Sequence, residues 1–167
     1  MAEYYEDLTF VKRTKKLIKE NVTDYEASLL VNCAIGLLFI AKEKYGDTLS
    51  KVKDPKIIRQ WGIDPDAIEC CKKYDYKTRT LKDESRTLRA IVRHLRNSFA
   101  HCNFKPINSG EKIIGYKIAD FYVPSQSFER ASLTFKTDIK LEDLRKFMGH
   151  VAGFVLSQKK KQNNKIH

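Results

Sequence analysis

The sequence predicts a mainly α fold, a helical bundle with a small β-hairpin inserted before its C-terminal helix. Three observations point that way. Long segments repeat apolar residues at spacings of three and four, one late stretch alternates with a period of two, and a last helical run follows it. A chain of 167 residues can bury a proper core without disulfides or metals. We expect a single domain over residues 1–158 and a basic flexible tail over 159–167.

Taken in order, the first helix spans roughly Glu6 to Asn21, with Leu8, Val11, Lys15 and Ile18 near helical spacing. A second starts at "TDYE", where Thr23 and Glu26 have capping-box spacing, and is expected to stop at Gly46. Its apolar residues go most of the way round, which marks a central, buried helix. The pattern then weakens. "DPKIIRQW" reads as a short helix with Pro55 at its first position, and "IDPDAIECCKKY" as another with Pro65 there. "DESRTLRAIVRHLRNSFAH" is a strong helix from Asp83 to His101, with Leu88, Ile91, Val92, Leu95 and Phe99 as its stripe. A corner is expected at Asn103 to Pro106. "IIGYKIADFYV" and "ASLTFKTDI" then read as two strands joined by "PSQSFER". The last helix, "LEDLRKFMGHVAGFVLSQ", has Glu142 and Asp143 in its first turn and lysines after its end, as a helix dipole favours.

Composition narrows the function. Lys and Arg number 32 against 21 acidic residues, a surplus of eleven. Without the four lysines of the tail the body keeps a surplus of about seven. Such charge attracts polyanions, and nucleic acid is the commonest in a cytoplasm. The N-terminus shows no secretory pattern, and "ASLLVNCAIGLLFIA" is shorter than the roughly 20 residues that cross a bilayer. The expected location is therefore the cytoplasm. Cys33, Cys70, Cys71 and Cys102 have no paired spacing with histidines, so no metal and no cofactor is expected.

On a wheel of about 100° per residue, with the Leu88/Leu95/Phe99 stripe at zero, Arg96 falls near 80° and Arg93 near 140°. Asn97 is then near 180°, His101 near 220° and His94 near 240°. Ala90 and Ala100 lie on this side and leave space beside the polar groups. Asn97 and His101 are four apart, so the amide is placed to fix the imidazole's tautomer. A two-fold dimer of such helices would pool two arginines and two histidines in one groove. One histidine near neutral pKa removes the 2′-hydroxyl proton of RNA and a second protonates the leaving 5′-oxygen, together worth roughly 10² to 10⁴ in rate. A guanidinium stabilises the phosphorane oxygens. The nucleophile belongs to the RNA itself, and the product is a 2′,3′-cyclic phosphate.

At this stretch, "RHLRNSFAHCNF", the sequence resembles the HEPN superfamily, whose mark is an arginine, usually a polar residue after it, and a histidine four to six residues later. Arg96, Asn97 and His101 match that pattern. The "NF" that follows, the hairpin and "LEDLRKFMGHVAGFVL" resemble a prokaryotic HEPN branch, most clearly from Thr80 to Leu156. The resemblance implies an HEPN-like bundle, a metal-independent endoribonuclease with composite sites in a homodimer, and a role in phage defence or as a toxin. A paired antitoxin or defence-complex protein is an implied partner beside RNA. The alternative is a non-catalytic nucleic-acid-binding or adaptor protein. Members often have glycine directly after the histidine; here Cys102 stands there, and Asn103 is expected to take the left-handed helix end.

On these grounds Arg96, Asn97 and His101 are the candidate catalytic residues, and Arg89, Arg93 and His94 the candidate RNA-binding ones. Each arginine is otherwise an ordinary exposed helix residue, and His94 an equally good contact to a neighbouring helix. His150 reads as a core or flank histidine, and His167 as part of the tail. Trp61, the only tryptophan, reads as an anchor for the middle segment, with base stacking as the lesser alternative. Cys70 and Cys71 read as buried thiols.

Overall fold

The computed structural model describes residues 3–20, 26–123 and 131–163. Its elements in chain order are α1 (Glu3–Glu20), α2 (Glu26–Ser50), α3 (Pro55–Gln60), a 3-10 turn (Pro65–Ala67), β1 (Cys70–Asp75), β2 (Thr80–Asp83), α4 (Leu88–Ala100), β3 (Phe104–Ser109), β4 (Lys112–Tyr122), β5 (Ser132–Lys140) and α5 (Leu141–Asn163). The strands form one antiparallel sheet in the order β2-β1-β5-β4-β3. This overturns the expected mainly α bundle with a small hairpin, because a five-stranded sheet makes up one layer of the molecule. The two expected strands are present as β4 and β5 and pair with each other, from Gly115 opposite Lys140 to Tyr122 opposite Ser132. Their connection, "PSQSFER", lies outside the described residues, as do Thr23 and His167.

The three strands that sequence reading missed are short of apolar alternation. β1, "CCKKYD", has one buried side chain, Cys71. "IDPDAIECCKKY" is therefore no helix: Pro65 opens only the 3-10 turn before the chain extends. β3, "FKPINS", contains a proline and stands at the sheet edge, where a missing donor is tolerated. Gly46 likewise does not stop α2. The helix kinks at Tyr45 (φ −131°, ψ 16°) and continues to Ser50.

The helices pack on one another and on the sheet: α4 lies against α2 and β4, and α5 against α1, α2, β4 and β5. Leu37 and Leu38 of α2, Leu95 and Phe99 of α4, Phe135 of β5 and Phe147 of α5 are all fully buried where these layers meet. Each large apolar side chain sealed this way contributes about 1.5–3 kcal/mol. The predicted α4 stripe is buried in full, as are Val11 and Ile18 of α1. No described helix is long and apolar enough to cross a membrane. α5 runs on through Lys159, Lys160 and Lys161.

Candidate functional site

The helix α4 begins later than its sequence pattern implied. "DESR" belongs to the end of β2 and a connecting segment, and the N-cap is Thr87, whose hydroxyl accepts from the Ala90 amide at 3.2 Å. Its C-terminus is closed by two reversed bonds. Asn103 N donates to Ser98 O at 2.8 Å and Cys102 N to Phe99 O at 3.3 Å, the pair that defines a Schellman end. The residue in left-handed conformation is Cys102 itself (φ +54°), not Asn103. His101 is the C-cap and is exposed to solvent.

The side of α4 opposite its apolar stripe does not face solvent, because the sheet covers much of it. Ala90 is fully buried and leaves no open space, and only Ala100 of that pair is exposed. His94, a candidate RNA contact, is 2% exposed. Its Nδ1 lies 2.8 Å from Asp120 Oδ2 of β4, and its ring stacks on Phe135 at 4.8 Å between centroids. On the other edge, Nε2 stands 2.8 Å from Arg93 Nη2 and 3.7 Å from Glu84 Oε2. Arg93 grips Glu84 with both terminal nitrogens.

Burial opposes a charged His94 ring, but the hydrogen bond to Asp120, with the Cys71 thiol and the Glu84 carboxylate close by, outweighs it and carries the pKa up to about 10. The Arg93 contact alone would imply the neutral ring, since a guanidinium can only donate. We take the ring as cationic, because two carboxylates face it against one guanidinium. Burial also works against the Glu84 carboxylate, yet His94 and Arg93 hold it down at about 2. Asn97 Nδ2 donates to the same Asp120 Oδ2 at 3.1 Å, and Asp120 Oδ1 accepts from the Phe121 amide at 3.0 Å. A carboxylate there requires the amide nitrogen on its side, which fixes the orientation of Asn97. The amide therefore orients Asp120 rather than His101.

The remaining candidates are spread along the helix. Arg96 is 23% exposed and pairs loosely with Glu43 of α2 at 3.6 Å. Its Nε is buried without a hydrogen-bond partner. Arg89 is exposed and ion-paired to Asp47 at 2.8 Å. The structure thus brings His94, Asn97 and Arg93 into one network with Asp120 and Glu84, and leaves Arg96 and His101 outside it. Asp120 and Glu84 are the residues that sequence reasoning missed. The signal for Asp120 was available: a single carboxylate inside "IADFYV", in a strand otherwise apolar at that end.

Cys71, Glu84 and His94 offer ligand atoms within 4.8 Å of one another. The chemistry of the trio suits a divalent transition metal, and Asp120 behind His94 is the usual outer partner of a ligating imidazole. Arg93, however, rests against two of the three groups and already supplies a positive charge there. Beside the network a cleft of about 330 Å³ opens, lined among others by Lys72, Tyr74, Asn97, Asp120 and Tyr122. Tyr74 and Tyr122 stack at 4.0 Å along its wall.

Comparison with known proteins places the chain in a described family. The model of the family described as HEPN pEK499 p136 fits residues 1–162. No curated protein and no solved structure matches.

Proposed function

The chain belongs to the HEPN pEK499 p136 family, within the HEPN superfamily, and from that premise we propose that it is a metal-independent endoribonuclease acting in phage defence or as a toxin. One observation carries the reading. Of the two α4 histidines, His94 is sealed inside an ion network, whereas His101 stands exposed at the helix end, five residues beyond Arg96.

Arg96 is suited to phosphate. Its side chain is partly buried and its guanidinium is held by one loose ion pair through Nη2, so an incoming phosphoryl oxygen gains a strong, partly desolvated donor at the terminal nitrogens. In the proposed mechanism His101 removes the 2′-hydroxyl proton, the 2′-oxygen attacks its neighbouring phosphorus, and Arg96 stabilises the charge gathering on the phosphorane. A second His101, from the partner subunit of a homodimer, protonates the 5′-oxygen as it leaves. Atoms balance: one P–O bond forms, one breaks, and the proton taken by one ring is matched by the proton given by the other. Asn97 acts at one remove by fixing Asp120, and Arg89 lies on the outer face where an RNA backbone would pass. RNA is the substrate, and an antitoxin or defence-complex protein is the partner that would hold such an activity in check.

The purified chain should cleave total RNA or tRNA in EDTA and leave 2′,3′-cyclic ends. Arg96→Ala and His101→Ala should each abolish this, and excess His101→Ala chain should inhibit the unmutated protein by forming mixed dimers that hold one His101 instead of two. Cleavage that survives both substitutions would sink the assignment. The diversion of Asn97 to Asp120 favours a second reading, a non-catalytic HEPN protein that binds nucleic acid as an adaptor. It expects salt-sensitive RNA binding, no cleavage at any enzyme excess, and indifference to His101→Ala.

A further inference from the structure

A second basic surface lies away from α4, where α1 packs along α5. Two adjoining hollows form a groove there. The first, of about 750 Å³, is lined by Lys15, Lys19, Trp61, Lys146 and His150 among others. The second, of about 500 Å³, shares Lys15, Gly153 and Ser157 with it and adds Lys12, Lys159 and Lys160. Among the described residues, no acidic side chain lines either hollow. From Lys146 to Lys160 the groove follows α5 for about 21 Å.

The floor is kept open by two glycines four residues apart on α5. A Cβ at Gly149 would meet nothing within 4 Å, and at Gly153 only Lys15 Nζ at 3.6 Å. Alanine would therefore fit at both positions and favour the helix, so packing does not explain the glycines; an unobstructed trough does. At the deep end Trp61 and His150 stack nearly parallel, 5.4 Å between centroids and 17° between planes, with Phe147 and Phe154 tilted around the indole. The His150 pKa is lowered by burial and by the charges of Lys146 and Lys15, so the aromatic end is itself electropositive. His150 remains exposed and offers its ring to a further layer.

Cations along a trough with a ring stack at its end is the arrangement by which proteins hold single strands: lysines track phosphates and rings take a base face. A duplex presents no free base face to the stack. A bilayer surface offers phosphates but no base to extend the ring stack. We propose that the α1/α5 groove binds single-stranded RNA, with phosphates along Lys12, Lys15, Lys19, Lys146 and Lys160 and one base extending the Trp61–His150 stack. The choice of RNA over DNA rests on the ribonuclease reading; the groove itself is independent of α4.

The only tryptophan of the chain stands in this groove, which gives a direct readout. The full-length His101→Ala protein is titrated with a labelled twelve-nucleotide single strand, following anisotropy and Trp61 emission together. Binding should be saturable and should change the emission. Lys15→Gln with Lys146→Gln, two exposed positions, should weaken binding at least tenfold at low salt. The slope of log affinity against log salt should fall by about 0.7 for each lysine–phosphate pair removed. His150→Ala should reduce the emission change while circular dichroism stays the same. Unchanged affinity and slope in the double variant, or a silent Trp61, overturns the proposal. Tighter binding of duplex RNA overturns it too, as does lysine-dependent binding of phosphatidylserine vesicles without RNA binding. RNA held in the groove but never cut by the unmutated protein sinks the ribonuclease reading alone; cleavage with Trp61 silent sinks the groove alone.

Discussion

Replacing Asp120 with asparagine keeps the shape of a buried side chain and removes its charge. Three donors converge on that carboxylate: His94 Nδ1 at 2.8 Å, the Phe121 amide at 3.0 Å and Asn97 Nδ2 at 3.1 Å. Asparagine can still accept from Phe121, but its NH₂ then faces the donors of His94 and Asn97. With Asp120 and His94 both buried, breaking the pair from one side should cost about 3–5 kcal/mol. The pH dependence follows from the raised pKa of His94, from 6.5 to about 10. A raised folded-state pKa gives stability that is complete below 6.5 and is lost as pH climbs through about 10. The deficit of Asp120→Asn should therefore be full at pH 6 and much smaller near pH 10. Urea denaturation of both proteins at the two pH values measures it, with the m-value as the check on two-state behaviour. A deficit under 1 kcal/mol at pH 6, or one equal at both pH values, refutes a cationic His94 held by Asp120.

Three further outcomes test the local geometry. Cys102→Gly should stabilise the protein by about 0.5–1 kcal/mol, since the residue sits at φ +54° where an L side chain is strained; a loss in Tm would contradict the helix end described. Gly62→Ala should cost at least about 1–3 kcal/mol in chemical denaturation, because φ is +101° and a Cβ would stand 2.5 Å from Asp143 O. Phe135→Ala should cost about 3–5 kcal/mol, for the ring is fully buried and forms one wall of the His94 site. An accompanying rise in amide exchange near His94 would tie that loss to the network.

What could be read from the chain without its structure was whatever depends on local period. Leu88, Ile91, Val92, Leu95 and Phe99 announce a helix face because 3.6 residues per turn puts them together, and all five are buried. β1 made no such announcement. It gains its place by pairing Cys70 with Lys136 and Cys71 with Phe135, partners far along the chain that no local window contains. The same distance hid the geometry of the polar network. A helical wheel places His94 correctly in angle but cannot tell that a strand carrying Asp120 will lie over it, and so a buried ion network looked like an open polar side. Cys102 misled for another reason: cysteine is an uncommon occupant of the left-handed region, so Asn103 was the natural expectation.

The strand order also dictates when this protein can be completed. β5 is the last of the described strands along the chain and yet the middle one of the sheet, with β1 on one side and β4 on the other. A ribosome that has not passed residue 140 displays two separate hairpin edges with nothing between them, so assembly of the sheet waits for that residue and proceeds through distant, slow pairings. Prematurely terminated products therefore cannot make a partial version of the fold, and every truncation upstream of that final strand should be insoluble or rapidly degraded.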